Sequence, residues 1–127
     1  MRYKGVFKMK KVLIIDDSSY MRMFLKKIIK KGGSYMMLEA STKEDAVEIF
    51  KNENPDIVTL DLNIAESKSD GVDVLYDIMN INPKASVIII SASGYENFKD
   101  ECIELGAKTY IKKPFDTKTL LNALEEC

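Results

Sequence analysis

Four short apolar runs in this chain stop on residues that can do chemistry. Lys11-Val-Leu-Ile-Ile15 ends at Asp16-Asp17, Ile57-Val-Thr-Leu60 at Asp61, Val87-Ile-Ile-Ile90 at Ser91, and Thr109-Tyr-Ile111 at Lys112-Lys113. Three carboxylates drawn together repel one another, so they hold protons or recruit a cation. A ligand set made of oxygens suits Mg²⁺. Lysine and serine supply a positive charge and a hydroxyl donor, the equipment for holding a phosphoryl group. The chain has no histidine, which removes imidazole bases, Ser-His-Asp triads and His-ligated zinc together. Carboxylates, Mg²⁺, Lys and Ser without His point to phosphoryl transfer onto an aspartate.

Each of these residues also has a plainer use. Asp16-Asp17-Ser18 can be a helix cap, although a cap rarely needs two acids. Asp61 can form a turn, and Lys113-Pro-Phe115 can be a turn with an anchoring aromatic. A serine after a strand, such as Ser91, is unremarkable alone, and Tyr110 on a short strand reads equally as half-buried packing. The weight lies in their order and in their shared position at strand ends.

That position follows from the alternation of patterns. Ile57-Val-Thr-Leu60, entered through Pro55, is short and apolar enough for a strand buried on both faces of a parallel sheet. Similar strands are expected at 11–15, 35–40, 86–90 and 109–111. Between them run helical patterns. Met21, Phe24, Leu25 and Ile28 make one stripe, capped by Ser18 or Ser19 and stopped by Gly32-Gly33. Ser41 with Glu44 makes a capping box for a helix burying Ala46, Ile49 and Phe50. A third helix, opened by Gly71 after an irregular loop over 61–70, buries Val74, Leu75 and Ile78. A fourth aligns Tyr95, Phe98, Cys102 and Leu105 before Gly106, and a fifth, capped by Asp116 or Thr117, turns Leu120, Leu121 and Leu124 inward. Five strands alternating with five helices give an α/β doubly wound parallel sheet. Such sheets bind ligands at the carboxyl ends of their strands.

Composition sets the outer limits. At 127 residues, 46% hydrophobic and 31% charged, the chain fits one globular domain. Nineteen basic residues against twenty acidic ones leave a charge of −1, without the basic excess of a nucleic-acid binder. No apolar run reaches the ~20 residues of a membrane span, and the basic start has no signal-peptide core. Cys102 and Cys127 show no metal or redox spacing and suit a reducing cytoplasm. Residues 1–8 lack pattern and read as an N-terminal extension, with the domain running over 9–127.

The set Asp16-Asp17, Asp61, Ser91 and Lys113-Pro114-Phe115 resembles the receiver domain of two-component response regulators, from about Met9 onward. Asp16-Asp-Ser-Ser-Tyr-Met-Arg22 is more similar to the stand-alone chemotaxis, CheY-like type than to transcriptional regulators. The resemblance implies a flavodoxin-like sheet of order 2-1-3-4-5. It implies that Asp61 is the phosphoacceptor. Mg²⁺ would be held by Asp17 directly, Asp16 mainly through water, Asp61 and the Asn63 main-chain carbonyl. Ser91 and Lys113 would contact the phosphoryl group, Tyr110 would be the aromatic switch, and Lys113–Pro114 would be a cis peptide. A histidine kinase would be the phosphodonor, and a monomeric cytoplasmic module would signal to a motility switch or relay protein. With no residues after Cys127 for a DNA-binding or enzymatic effector, output is expected through protein contact or onward phosphotransfer, and the chain is not expected to be an enzyme beyond its own self-dephosphorylation.

The loop after Asp61 departs from the family. Ile64-Ala65 stands where Met-Pro is usual, and Gly71 comes ten residues after Asp61 instead of eight. Ala65 lacks the fixed φ of proline, which bears on how Asn63 is presented. Two other classes compete. An aspartate-nucleophile phosphohydrolase would want a second Asp two residues after the nucleophile on the first strand, whereas Asn63 takes that spacing on the third. A flavodoxin-like electron carrier would want a donor-rich phosphate cradle where Asp16-Asp-Ser-Ser19 is acidic.

Overall fold

The three inner strands are largely apolar because both of their faces are covered. All five residues of β3 (Ile57–Asp61) are buried, as are Val12–Ile15 of β1 (Lys10–Ile15) and Val87–Ser91 of β4 (Ser86–Ser91). In this computed structural model, which describes residues 9–64, 68–92 and 96–127 (backbone only at 68–70), five parallel strands lie in the order β2-β1-β3-β4-β5. The edges are β2 (Tyr35–Ala40) and β5 (Thr109–Lys112). This is the order expected from the resemblance.

Alternate residues feed two cores. Leu13, Ile15, Val58, Leu60, Val87 and Ile89 face one side, under α2 (Lys43–Glu53), α3 (Lys68–Ile81) and α4 (Lys99–Leu105). Val12, Ile14, Ile57, Ile88, Ile90 and Ile111 face the other, under α1 (Ser19–Lys31) and α5 (Thr117–Glu125). The period-2 alternation of a strand is thus satisfied by apolar side chains in both phases.

Several local expectations shift. Ser18 caps α1, its Oγ accepting from the Met21 amide at 3.2 Å. On that helix Ile29 takes a buried place and Phe24 stays 39% exposed, its ring 6.3 Å from that of Phe115. Thr42, not Ser41, caps α2, because Thr42 is the residue with extended backbone whose Oγ1 accepts from Asp45 N at 3.1 Å. Glu44 then falls in the first turn and the box at Ser41 is not formed; Ile49 is half-buried beside buried Ala46 and Phe50. The fourth helical segment splits into a 3₁₀ turn, Glu96–Phe98, and the short α4 around fully buried Cys102, while Tyr95 lies outside the described residues. Asp116 caps α5, which buries Leu120, Ala123 and Leu124 and leaves Leu121 half-buried.

Gly71 is the largest correction. It does not open α3 but sits inside it, since the helix begins at Lys68. A Cβ at Gly71 would lie 2.3 Å from the Leu62 carbonyl oxygen, so only glycine lets the helix backbone approach the end of β3 this closely.

Candidate functional site

Parallel register brings the four strand ends together. Asp61 pairs with Ile90, one residue short of Ser91, and Ser91 pairs with Lys112. The Leu62 amide continues the ladder to the Ile90 carbonyl at 2.9 Å, and the Lys113 amide reaches the Ser91 carbonyl at 2.7 Å. On the other flank the Asp16 amide bonds the Ala40 carbonyl at 3.1 Å, just as β1 ends.

Among the described residues Asp16, Asp17 and Asp61 form one acidic cluster, with one carboxylate oxygen from each lying within 4.8 Å of the others. Asp16 and Asp61 are almost wholly buried and Asp17 is exposed. Burial pushes the Asp16 carboxyl up to about 6; the Ser18 amide, donating to its Oδ1 at 2.9 Å, works against the rise, and the Asp61 charge adds to it. Asp61 is raised first by burial, while Lys113 pulls it down. Lys113 Nζ lies 3.5 Å from Asp61 Oδ1, which also accepts from the Asn63 amide at 3.1 Å.

The turn that carries Asn63 is closed by the Ile64 amide donating to the Asp61 carbonyl at 3.1 Å. Leu62 and Ile64 are fully buried and hold the turn to the core while Asn63 is exposed. Ile64 therefore anchors the turn at a position where the family usually has methionine; Ala65 lies outside the described residues. Ser91 is fully buried, its hydroxyl donating to the Ala92 carbonyl at 3.2 Å and accepting from the Tyr110 hydroxyl at 2.7 Å. Tyr110 is half-buried, and the Lys113–Pro114 peptide is cis.

The residues singled out in the sequence thus converge. Three closely spaced carboxylates, two of them held high by burial and mutual repulsion, fit a hard divalent cation, which relieves that repulsion with oxygen ligands. Sequence reading missed a second layer behind them. Arg22 Nη1 donates to the Asp16 carbonyl at 2.7 Å and its Nε to Glu39 Oε1 at 2.8 Å, while Lys26 reaches Glu39 Oε2 at 2.7 Å. The available signal was Glu39 itself, a charge inside the otherwise apolar run Tyr35-Met-Met-Leu-Glu-Ala40.

Comparison with known proteins gives the same answer as the geometry. The family model "Response regulator receiver domain" matches residues 12–125. The chain is 43% identical over 117 residues to a "Chemotaxis protein CheY" of Thermotoga maritima, covering 92% of this chain and 96% of that one. It is 34% identical to "Sporulation initiation phosphotransferase F" of Bacillus subtilis, covering 91% of each. A receiver-domain crystal structure from Clostridium thermocellum superposes with a TM-score of 0.85 at 28% identity, covering 93% of both chains. With its strand order, its acidic cluster and Lys113 beside Asp61, this chain belongs to the response regulator receiver domain family, and within it to the CheY-like receivers.

Proposed function

We propose that the chain is a phosphorylation switch in a two-component pathway, with Asp61 as phosphoacceptor and a histidine kinase as donor. The observation that carries this reading is the cluster of Asp16, Asp17 and Asp61 with Lys113 Nζ beside Asp61. Receiver domains bind Mg²⁺ at an acidic pocket. Here Asp16, Asp17, Asp61 and the Asn63 main-chain carbonyl would hold it, and when bound it offsets the negative charge of phosphate and carboxylates.

The Lys113 ammonium and the Asn63 amide both act on Asp61 Oδ1, which leaves Oδ2, among the described residues, to attack phosphorus. The new P–O bond forms as the P–N bond of a phosphohistidine breaks, and the released imidazole takes a proton. Lys113 then pairs with a phosphoryl oxygen, and Ser91 turns its hydroxyl from the Ala92 carbonyl to donate to another. That movement disturbs the bond from Tyr110, which lies on β5. The signal therefore leaves by α4, β5 and α5. A groove of about 500 Å³ lined by Tyr110, Lys112, Phe115 and Asn122 lies along β5 and α5, and Ile103 is 43% exposed on α4.

Chemotaxis or motility control is the output we favour, on the likeness to CheY. The likeness to a sporulation phosphotransferase favours a second reading, onward transfer of the phosphoryl group in a relay. Ser93, which would flank the phosphoryl group opposite Asn63 and influence its lifetime, lies outside the described residues. No helix among the described residues is long and apolar enough to cross a membrane.

The test is mass spectrometry after incubation with acetyl phosphate and Mg²⁺. One phosphoryl group should add to the wild type and none to Asp61→Asn or to protein in EDTA. Label persisting in Asp61→Asn would move the site elsewhere and overturn the assignment. Decay of the label separates the outputs: seconds to minutes suits a motility switch, hours a relay.

A further inference from the structure

Asp16 is pinned by all of its polar groups. Its amide bonds the Ala40 carbonyl, its carboxylate takes the Ser18 amide, and its carbonyl takes Arg22 Nη1 at 2.7 Å. The last of these is the informative one. The Asp16 carbonyl belongs to the peptide plane that joins Asp16 to Asp17, so whatever holds that oxygen sets the plane and with it the direction of the Asp17 side chain. Asp17 is the exposed member of the acidic cluster and follows directly on that peptide.

We propose that Arg22 is a positioning residue for the acidic pair, fixing through the Asp16 carbonyl the direction in which Asp17 is offered to a divalent cation, and that Glu39 holds Arg22 in this pose. The proposal rests on the reading of Asp16 and Asp17 as cation ligands. The fork is suited to arginine alone. A planar guanidinium reaches the Asp16 carbonyl with one nitrogen and Glu39 Oε1, at 2.8 Å, with another, whereas a lysine ammonium on a flexible stem does not fix two acceptors in one plane. Glu39 is the charge partner that keeps this cation out of the acidic cluster. Without it the guanidinium turns toward Asp16, Asp17 and Asp61 and competes with the metal. Lys26 bonds the second oxygen of Glu39 and, among the described residues, forms no hydrogen bond or ion pair with Asp16, Asp17 or Asp61, so it is the natural control.

Stability alone does not explain the arrangement. Glu39, which both cations share, is 38% exposed, Lys26 is 42% exposed and Arg22 17%, and ion pairs with a partner open to water contribute little to folding. Groups behind the first ligands, in contrast, commonly change metal affinity by about tenfold or more.

The experiment is calorimetric titration of Mg²⁺ into the full, unphosphorylated chain, with thermal melts run alongside. Arg22→Ala should bind Mg²⁺ about tenfold more weakly than wild type. Arg22→Lys should not restore binding. Glu39→Gln should weaken it in the same direction, and the double variant should be no weaker than Arg22→Ala alone, as expected of two residues acting through one contact. Lys26→Ala should bind as wild type does. Should Arg22→Ala fold poorly, the milder Glu39→Gln still decides. Affinities of Arg22→Ala and Glu39→Gln within twofold of wild type, while Asp17→Asn abolishes binding, would overturn the positioning role and leave the cation site standing. A wild-type chain that takes up no Mg²⁺ would sink both.

Discussion

The Tyr110 hydroxyl donates to Ser91 Oγ at 2.7 Å, across nineteen residues of sequence and from the edge strand to its neighbour. Ser91 has one proton to give and gives it to the Ala92 carbonyl. A phosphoryl oxygen arriving at Ser91 must compete for that proton, and turning the hydroxyl misaligns the lone pair that Tyr110 uses. The tyrosine ring is half-buried, so its response moves a surface rather than a core.

Ser91→Ala, Lys113→Ala and Tyr110→Phe should therefore still accept label from acetyl phosphate, yet lose the wild-type response on β5 and α5. Amide chemical shifts of residues 109–126, compared with and without phosphodonor, read this directly. If all three variants show the wild-type shifts, coupling through the serine and lysine is wrong. Because Tyr110 keeps partial access to water, losing its bond should change stability by only about 1 kcal/mol.

A second expectation concerns pH. Burial raises the Asp16 carboxyl from 3.8 to about 6, so the folded state binds its proton more tightly than the unfolded state does. The sign follows: this residue opposes folding progressively as pH climbs from about 4 to 6 and fully above that, by roughly 3 kcal/mol. In EDTA, Asp16→Asn should gain stability relative to wild type across that window, measured by urea unfolding at several pH values. A constant difference from pH 4 to 7 would contradict the burial argument.

Thr59 sits in the middle of β3 with its hydroxyl wholly buried and, among the described residues, without a hydrogen-bond partner. A buried donor left unmade is destabilising, and valine has nearly the same shape. Thr59→Val should stabilise the protein by about 1–2 kcal/mol in denaturant melts and leave labelling of Asp61 unchanged. A destabilised variant would mean that the hydroxyl has a partner in solution.

Gly71 makes the opposite prediction. Its missing side chain is what lets α3 lie against Leu62, between Asp61 and Asn63. Gly71→Ala should cost about 1–3 kcal/mol of stability through overpacking and also slow phosphorylation, since the turn presenting Asn63 is pushed aside. Normal labelling kinetics in a destabilised Gly71→Ala would separate packing from presentation.

The elements were readable in the sequence because they rest on local physics. A run such as Val87-Ile-Ile-Ile90 has no polar phase, so it must be covered on both faces, and five short strand-like runs alternating with amphipathic stretches leave little but a layered parallel sheet. Asp16, Asp17, Asp61, Ser91 and Lys113 were legible for a related reason: each breaks an apolar run where strand physics asks for no such group. The errors were small ones of place. Serine and threonine are equivalent capping signals, so Thr42 stood in for Ser41, and a glycine marks close approach as readily as a helix start, which hid the role of Gly71. What only the tertiary structure decided were the contacts set by strand register. Nothing local states that three carboxylates meet within 4.8 Å, that Arg22 spans from the Asp16 carbonyl to Glu39, or that Tyr110 reaches Ser91. Periodicity tells a residue which face it takes, whereas its partner depends on which strand lies alongside and in what register.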